Sequence, residues 1–325
     1  MKKHSWKAAP ALRKIGPLII AMAALEVVFG IRVPGFSQMD NQIDLLQQIS
    51  VNAIIAFGMT FTIMTGGIDL SVGAVLALVG TATVSILAAG SPSTAPSVKL
   101  LLALGGGMGI AALFGLFNGI PAAKTRMPTF VITLSTMMVA RGMAYRFNSA
   151  QPIPIPDNAT TFLALGNSRL LGFIPVPVLV MLGVFAFATI LLHRTRFGQH
   201  IYAIGGNREA AKFTGINVVR TQVWVYLLCA VMAGIAGMIH TSQLYSAEPG
   251  SGQGFELNAI AAAVVGGTSF TGGIGTMYGT LIGAVIIGIL DKGLNQAGVH
   301  FSLQYIVKGL VVLTAVYMDV RRNKS

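Results

Sequence analysis

Apolar residues gather along the chain into successive runs separated by short polar breaks, and each run is close to the ~20 residues that a helix needs to cross a bilayer core. Ten stretches stand out, near residues 15–33, 49–65, 71–90, 99–121, 128–147, 173–192, 221–240, 257–270, 275–290 and 303–319. The pattern predicts an all-α integral membrane protein, a polytopic bundle of about ten transmembrane helices forming one domain over residues 1–325. The weakest stretch is 257–270, which opens on Asn258 and runs into Thr268, Ser269 and Thr271. It reads as a half-helix or a re-entrant segment.

Composition agrees. Only 10% of residues are charged and 54% are apolar, against about 25% charged in a soluble domain. One cysteine, Cys229, excludes an intramolecular disulfide and a cysteine-cluster metal site. The formal charge of +12 does not point to nucleic acid, because the cations flank the apolar runs. With the N-terminus in the cytoplasm and the runs crossing in alternation, fifteen Lys and Arg fall inside and five outside, as the positive-inside rule requires. The short basic tails at 1–14 and 320–325 are then both cytoplasmic.

One motif occurs twice. Thr65-Gly66-Gly67-Ile68-Asp69-Leu70-Ser71-Val72-Gly73 recurs as Thr271-Gly272-Gly273-Ile274-Gly275-Thr276-Met277-Tyr278-Gly279, with five of nine positions identical. Gly-Gly inside an apolar run frees backbone groups that lipid cannot satisfy, so each block must face protein or a wet cavity. Interrupted segments are therefore expected near 65–73 and 271–279, with Gly66, Gly67, Asp69, Ser71, Gly272 and Gly273 as helix-break or gate residues toward the cytoplasm. Plain turns between adjacent helices are the alternative.

Ionisable groups at membrane depth are costly and need partners. Asp69 precedes the 71–90 run and reads as a cap on its N-terminus or as a substrate contact. Glu26, Arg141 and Lys308 are expected near span ends or snorkelling to the interface. Asn52, Asn118 and Asn258 are neutral hydrogen-bonding groups suited to a pathway for an uncharged polyol, or equally to holding helices together. No chain of acidic residues runs through the apolar stretches, which disfavours a proton relay.

The longest inside connection, 193–220, contains a helix-capable segment: Asn207 can cap, Glu209 falls in the first turn, and Gly215 can terminate. Glu209-Ala210-Ala211, three residues, then Gly215 resembles the start of the coupling signature of permease subunits in bacterial ATP-binding-cassette sugar importers of the ribose type. The likeness extends from Gln47-Gln48-Ile49-Ser50-Val51-Asn52-Ala53 through the first Thr-Gly-Gly block to Gly266-Gly267-Thr268-Ser269 and Lys308. It departs from the longer signature at Val225-Tyr226-Leu227-Leu228, where a proline is missing.

The resemblance implies a translocation subunit in the bacterial inner membrane, dimeric with itself, served by a cytoplasmic ATPase and a periplasmic sugar-binding protein. Asn207, Arg208, Glu209, Ala210, Ala211 and Gly215 would couple it to the ATPase, with the alanines permitting close approach. The chain has no Gly-x-x-x-x-Gly-Lys-Ser/Thr phosphate loop, so it is expected to bind no cofactor and to be no enzyme, the ATP being hydrolysed by the partner. An ion- or proton-driven secondary sugar transporter is the competing class, and a non-transporting scaffold a third.

Overall fold

A computed structural model describes residues 9–89 and 95–323. Lys2, Lys3, Lys7 and Lys324 of the basic tails lie outside the described residues, as do the side chains of Arg13, Lys14 and Arg322. The architecture is helical: α1 (Ala9–Arg32), α2 (Met39–Met64), α3 (Val72–Ala89), α4 (Pro96–Lys124), α5 (Thr129–Arg146), α6 (Thr160–Asn167), α7 (Val176–Arg194), α8 (Arg196–Gly206), α9 (Arg208–Phe213), α10 (Val218–Gln243), α11 (Phe255–Val265), α12 (Met277–Gln296) and α13 (Phe301–Asn323). Among the described residues, α2, α3, α4, α7, α10 and α12 are the six helices long and apolar enough to cross a membrane by length and composition. Each of the ten expected stretches coincides with a helix. The stretch at 257–270 becomes α11, whose 11 residues span about 16 Å and fall short of a bilayer core.

Two buried helices organise the bundle. α10 packs against α4, α2 and α3, and α2 packs in turn against α11 and α12. Close approach depends on missing side chains: a Cβ on Gly58 of α2 would press on the backbone of Cys229, and one on Gly115 or Gly119 of α4 would meet the α10 backbone at Leu227 or Val223. Cys229 is fully buried at this contact.

α2 supplies the long axis, 26 residues or about 39 Å. At one end Gln47 Nε2 donates to the carbonyl of Gly166 at 2.8 Å, and Gln243 of α10 lies beside it. At the other end the carbonyl of Met64 accepts from the Gly273 amide at 2.9 Å. In the Pro-rich stretch 151–156, β1 (Ile153–Pro154) pairs antiparallel with β4 (Ser246–Ala247), tying the end near Gln47 to the strand that leads into α11. A second ribbon joins β2 (Arg169–Leu170) and β3 (Ile174–Pro175).

Two expectations are revised. The Gly-Gly blocks are connections between successive helices, α2 to α3 and α11 to α12, and do not interrupt a single span. Each is partly buried: Gly67, Asp69 and Ser71 in the first and Gly272 and Gly275 in the second are buried, whereas Gly66, Thr271 and Ile274 are exposed. Arg141 and Lys308 do not snorkel. Arg141 donates to the carbonyls of Pro249 and Ser251, each at 2.7 Å, and Lys308 pairs with Asp291 of α12 at 3.0 Å. Protein carbonyls and a carboxylate replace the water that each cation would otherwise seek.

Candidate functional site

Four helices end on the same backbone device, α12 among them with Gly298 returning to Asn295 and Val299 to Leu294, each at 3.0 Å. After α2 the amide of Gly66 returns to the Ile63 carbonyl at 2.9 Å and that of Gly67 to Thr62 at 2.9 Å. After α11, Gly267 returns to Val264 at 2.8 Å and Thr268 to Ala263 at 2.9 Å; after α9, Gly215 returns to Lys212 and Ile216 to Ala211. In each the turning residue is a glycine at positive φ, +81° at Gly66, +91° at Gly267 and +83° at Gly215. That is the Schellman termination, which satisfies helix-end carbonyls and sends the chain off sharply. The two blocks share a structural role at their far ends, where each launches the next helix: α3 begins at Val72 and α12 at Met277.

The end of α2 meets the second block. Gly273, the second glycine of the second block, donates its amide to the carbonyl of Met64, the last residue of α2. α8 lies across both. A Cβ on Gly205 would collide with the Met64 carbonyl and the Gly273 amide, and Tyr202 Oη donates to the Gly275 carbonyl at 2.8 Å. Burial pushes the Tyr202 hydroxyl up to about 12, so it remains a donor across the physiological range. Gly66 and Gly272 flank this junction. Gly67 abuts the Tyr226 hydroxyl of α10, where a side chain would not fit.

α8 was not expected from sequence; α9 was. The Asn207 side chain accepts the Ala210 amide at 2.9 Å and caps α9. Ala211 faces inward, 3% exposed, against Ile204 of α8 and Val218 of α10, so its methyl group anchors α9 and is not available to a partner. Arg208, Glu209 and Ala210 face outward. Phe213 is 88% exposed at the end of α9. Exposed aromatics of this kind are enriched at protein interfaces.

Asp69 and Asn118 meet deeper in the bundle. Asp69 Oδ1 accepts the Ser71 amide at 2.9 Å and its hydroxyl at 2.6 Å, while Asn118 Nδ2 donates to both Asp69 oxygens at 3.3 Å and to Ser71 Oγ at 2.8 Å. Ser71 immediately precedes α3, so the carboxylate organises the start of that helix. Asp69 and Asn118 are both at 0% exposure.

Asn52 and Asn258 lie elsewhere. Both line a cavity of about 1040 Å³ between α2, α10, α11, α12 and α13, toward the end of α2 that carries Gln47. Its walls carry amides from Gln47, Gln243, Asn295 and Gln304 together with the Asp291–Lys308 pair. Asn258 Nδ2 donates to Asp291 Oδ2 at 3.4 Å, and the buried Asn52 Oδ1 has no partner among the described residues. The lining also holds Asp44 and Lys292, so its two carboxylates are matched by two ammonium groups, and a cavity of this size and polarity admits a small polar molecule. The structure thus separates the three asparagines into a buried node (Asn118) and a cavity wall (Asn52, Asn258). Asp291, Tyr202 and Gly205 escaped sequence reading, because their roles depend on partners far away in the chain.

The chain is thus a helical bundle in which two helix junctions meet under the short helix α8. Residues 41–316 match the family described as branched-chain amino acid transport system / permease component, and the chain belongs to that family. It is 42% identical over 307 residues to the ribose import permease protein RbsC of Escherichia coli strain K12, covering 94% of this chain and 93% of that protein. It is 33% identical to the L-arabinose transport system permease protein AraH of the same strain, over 95% of this chain and 91% of that one. The fold is similar to a solved inward-facing conformation of a metal-chelate type ABC transporter, with TM-score 0.52, 12% identity and coverage of 94% and 98% of the two chains.

Proposed function

We propose that this chain is the membrane translocation subunit of an ATP-driven importer of monosaccharides, ribose or a related sugar. Sequence likeness to pentose permeases along almost the whole chain supports the sugar class over the amino acids in the family description. The structural observation that carries the reading is the seating of α8 on both helix junctions, through Gly205 and Tyr202, with α9 exposed beside it. A push on α9 then reaches α2, α11 and α12 through short backbone contacts.

In this reading residues 193–220 form a cytoplasmic coupling loop, where Asn207 caps the docking helix, Arg208, Glu209, Ala210 and Phe213 meet the ATPase, and Gly215 turns the chain back into α10. Two copies of the chain form the pathway in the bacterial inner membrane, with both termini cytoplasmic. A periplasmic binding protein delivers sugar at the Gln47 end. The chain binds no ATP itself. Asn52 and Asn258 offer the sugar hydrogen bonds in the outer cavity, and the helix junctions hold the inner end closed between cycles.

Reconstitution tests this reading. Proteoliposomes holding the chain, its ATPase and its binding protein are expected to accumulate labelled ribose only with ATP. Accumulation by the chain alone on an ion gradient would establish the secondary-transporter class instead. Glu209→Lys is expected to weaken ATPase association while leaving membrane insertion intact; unchanged association and uptake in that variant would remove Glu209 from the mechanism.

A further inference from the structure

A second cavity, of about 570 Å³, opens at the end of the bundle that carries the helix junctions. Its wall is built from the connection 65–68 after α2, Ala122 of α4 with the turn into α5 and the first residues of α5, Arg208 with Gln222 from the α9–α10 region, and Phe270 of the α11–α12 connection. Two guanidinium groups, Arg126 and Arg208, line it, and no carboxylate does. Among the described residues neither arginine has an ion pair. Gln222 is 2% exposed, lines the cavity, and its buried side-chain oxygen has no hydrogen-bond partner among the described residues. α5 begins at this wall without a side-chain cap on its N-terminus.

These features share one sign. Two unneutralised arginines and the positive end of an 18-residue helix favour a multiply charged anion. Phosphate is the anion whose several oxygens suit two planar guanidinium forks at once. The volume exceeds what a bare phosphate fills, and Thr65, Thr125, Thr129 and Gln222 line the remainder. The buried Gln222 oxygen calls for a donor on the ligand, such as a hydroxyl on the body that carries the phosphate.

We propose that this cavity is an anion site for a phosphate ester with hydroxyl groups, either a soluble phosphate monoester or the headgroup of an anionic glycerophospholipid. The site adjoins α9 through Arg208, so occupancy stiffens the platform on which the proposed ATPase docks. The proposal is independent of which sugar the chain carries.

Two arms distinguish the sources. In the first, the purified full chain in an uncharged detergent is titrated calorimetrically with glycerol 3-phosphate, inorganic phosphate and glycerol. In the second, the chain is taken from nanodiscs of phosphatidylcholine with phosphatidylglycerol, and retained lipid is identified by native mass spectrometry. Saturable binding in either arm, with glycerol 3-phosphate tighter than inorganic phosphate in the first, supports the site. Arg126→Gln, at an exposed turn, is expected to weaken that binding about tenfold or more, and Gln222→Leu to remove the preference for the ester over inorganic phosphate. Thermal unfolding without ligand verifies that both variants are folded. Absence of binding in both arms, or binding unchanged by Arg126→Gln, overturns the proposal. If neither phosphate source binds and Arg126→Gln instead weakens the ATPase complex, the cavity is a protein dock and the proposal is likewise overturned.

Discussion

Two adjacent glycines in α8 carry opposite burdens. A methyl group on Gly205 would run into the Met64 carbonyl and the Gly273 amide, both backbone atoms that cannot turn aside, whereas one on Gly206 would meet nothing within 4 Å. Overpacking against rigid neighbours costs about 1–3 kcal/mol, so Gly205→Ala is expected to lower the thermal unfolding temperature of the purified chain and to reduce coupled transport. Gly206→Ala is expected to match the parent in both. Equal melting of the two variants would show that α8 does not press on the junction. The sequence around these glycines is legible only in part. Gly215 announces itself as a terminator because an asparagine cap and a short alanine-rich segment precede it, a local signal. The demand on Gly205 comes from Met64 and Gly273, far off along the chain, and no spacing within 193–220 encodes it.

At the scale of elements, local pattern located nearly every helix, and partnership was what it missed. α8 went unread because Gly198, Gly205 and Gly206 lower its intrinsic propensity, while burial of Ile201 and Ile204 holds it in place. α13 shows the same limit. Lys308 looks like a snorkelling cation from sequence, yet it meets Asp291 of α12 at 3.0 Å, with the two side chains 23% and 24% exposed. Asn258 of α11 donates to the same carboxylate, so one acidic residue joins three helices at the cavity wall. Removing one partner leaves a part-buried charge uncompensated, whereas removing both leaves none. Lys308→Met is therefore expected to destabilise the chain by about 2 kcal/mol, discounted from the ~3–5 of a fully buried pair because water reaches both groups. The double variant Asp291→Asn with Lys308→Met is expected to recover most of that loss. Thermal unfolding of the single and double variants checks it, and additive losses would mean that the pair contributes no coupling.

At the scale of the whole molecule, charge and geometry can be set against each other. The positive-inside reading rests on counting cations between apolar stretches and assumes that each stretch crosses, an assumption that α11 breaks by being too short. The structure supplies a check that needs no crossing count. Arg126, between α4 and α5, and Arg208, between α8 and α10, line one cavity and so share one end of the bundle. Asp44 and Arg169 pair at 3.1 Å near Gln47, at the opposite end of α2. The end carrying Arg126, Arg208 and Lys212 also carries the helix junctions, and the proposed orientation puts that end in the cytoplasm. Lys212 and Asp157 are exposed on the two ends, and Cys229, the chain's only cysteine, is buried and serves as an unreactive background. A membrane-impermeant maleimide is expected to label Asp157→Cys from outside intact cells, and to label Lys212→Cys only after the membrane is opened. The reverse pattern would invert the molecule and take the ATPase dock away from α9. Labelling of both variants from outside would mean that α9 does not face the cytoplasm, and the coupling role of Glu209 would fall with it.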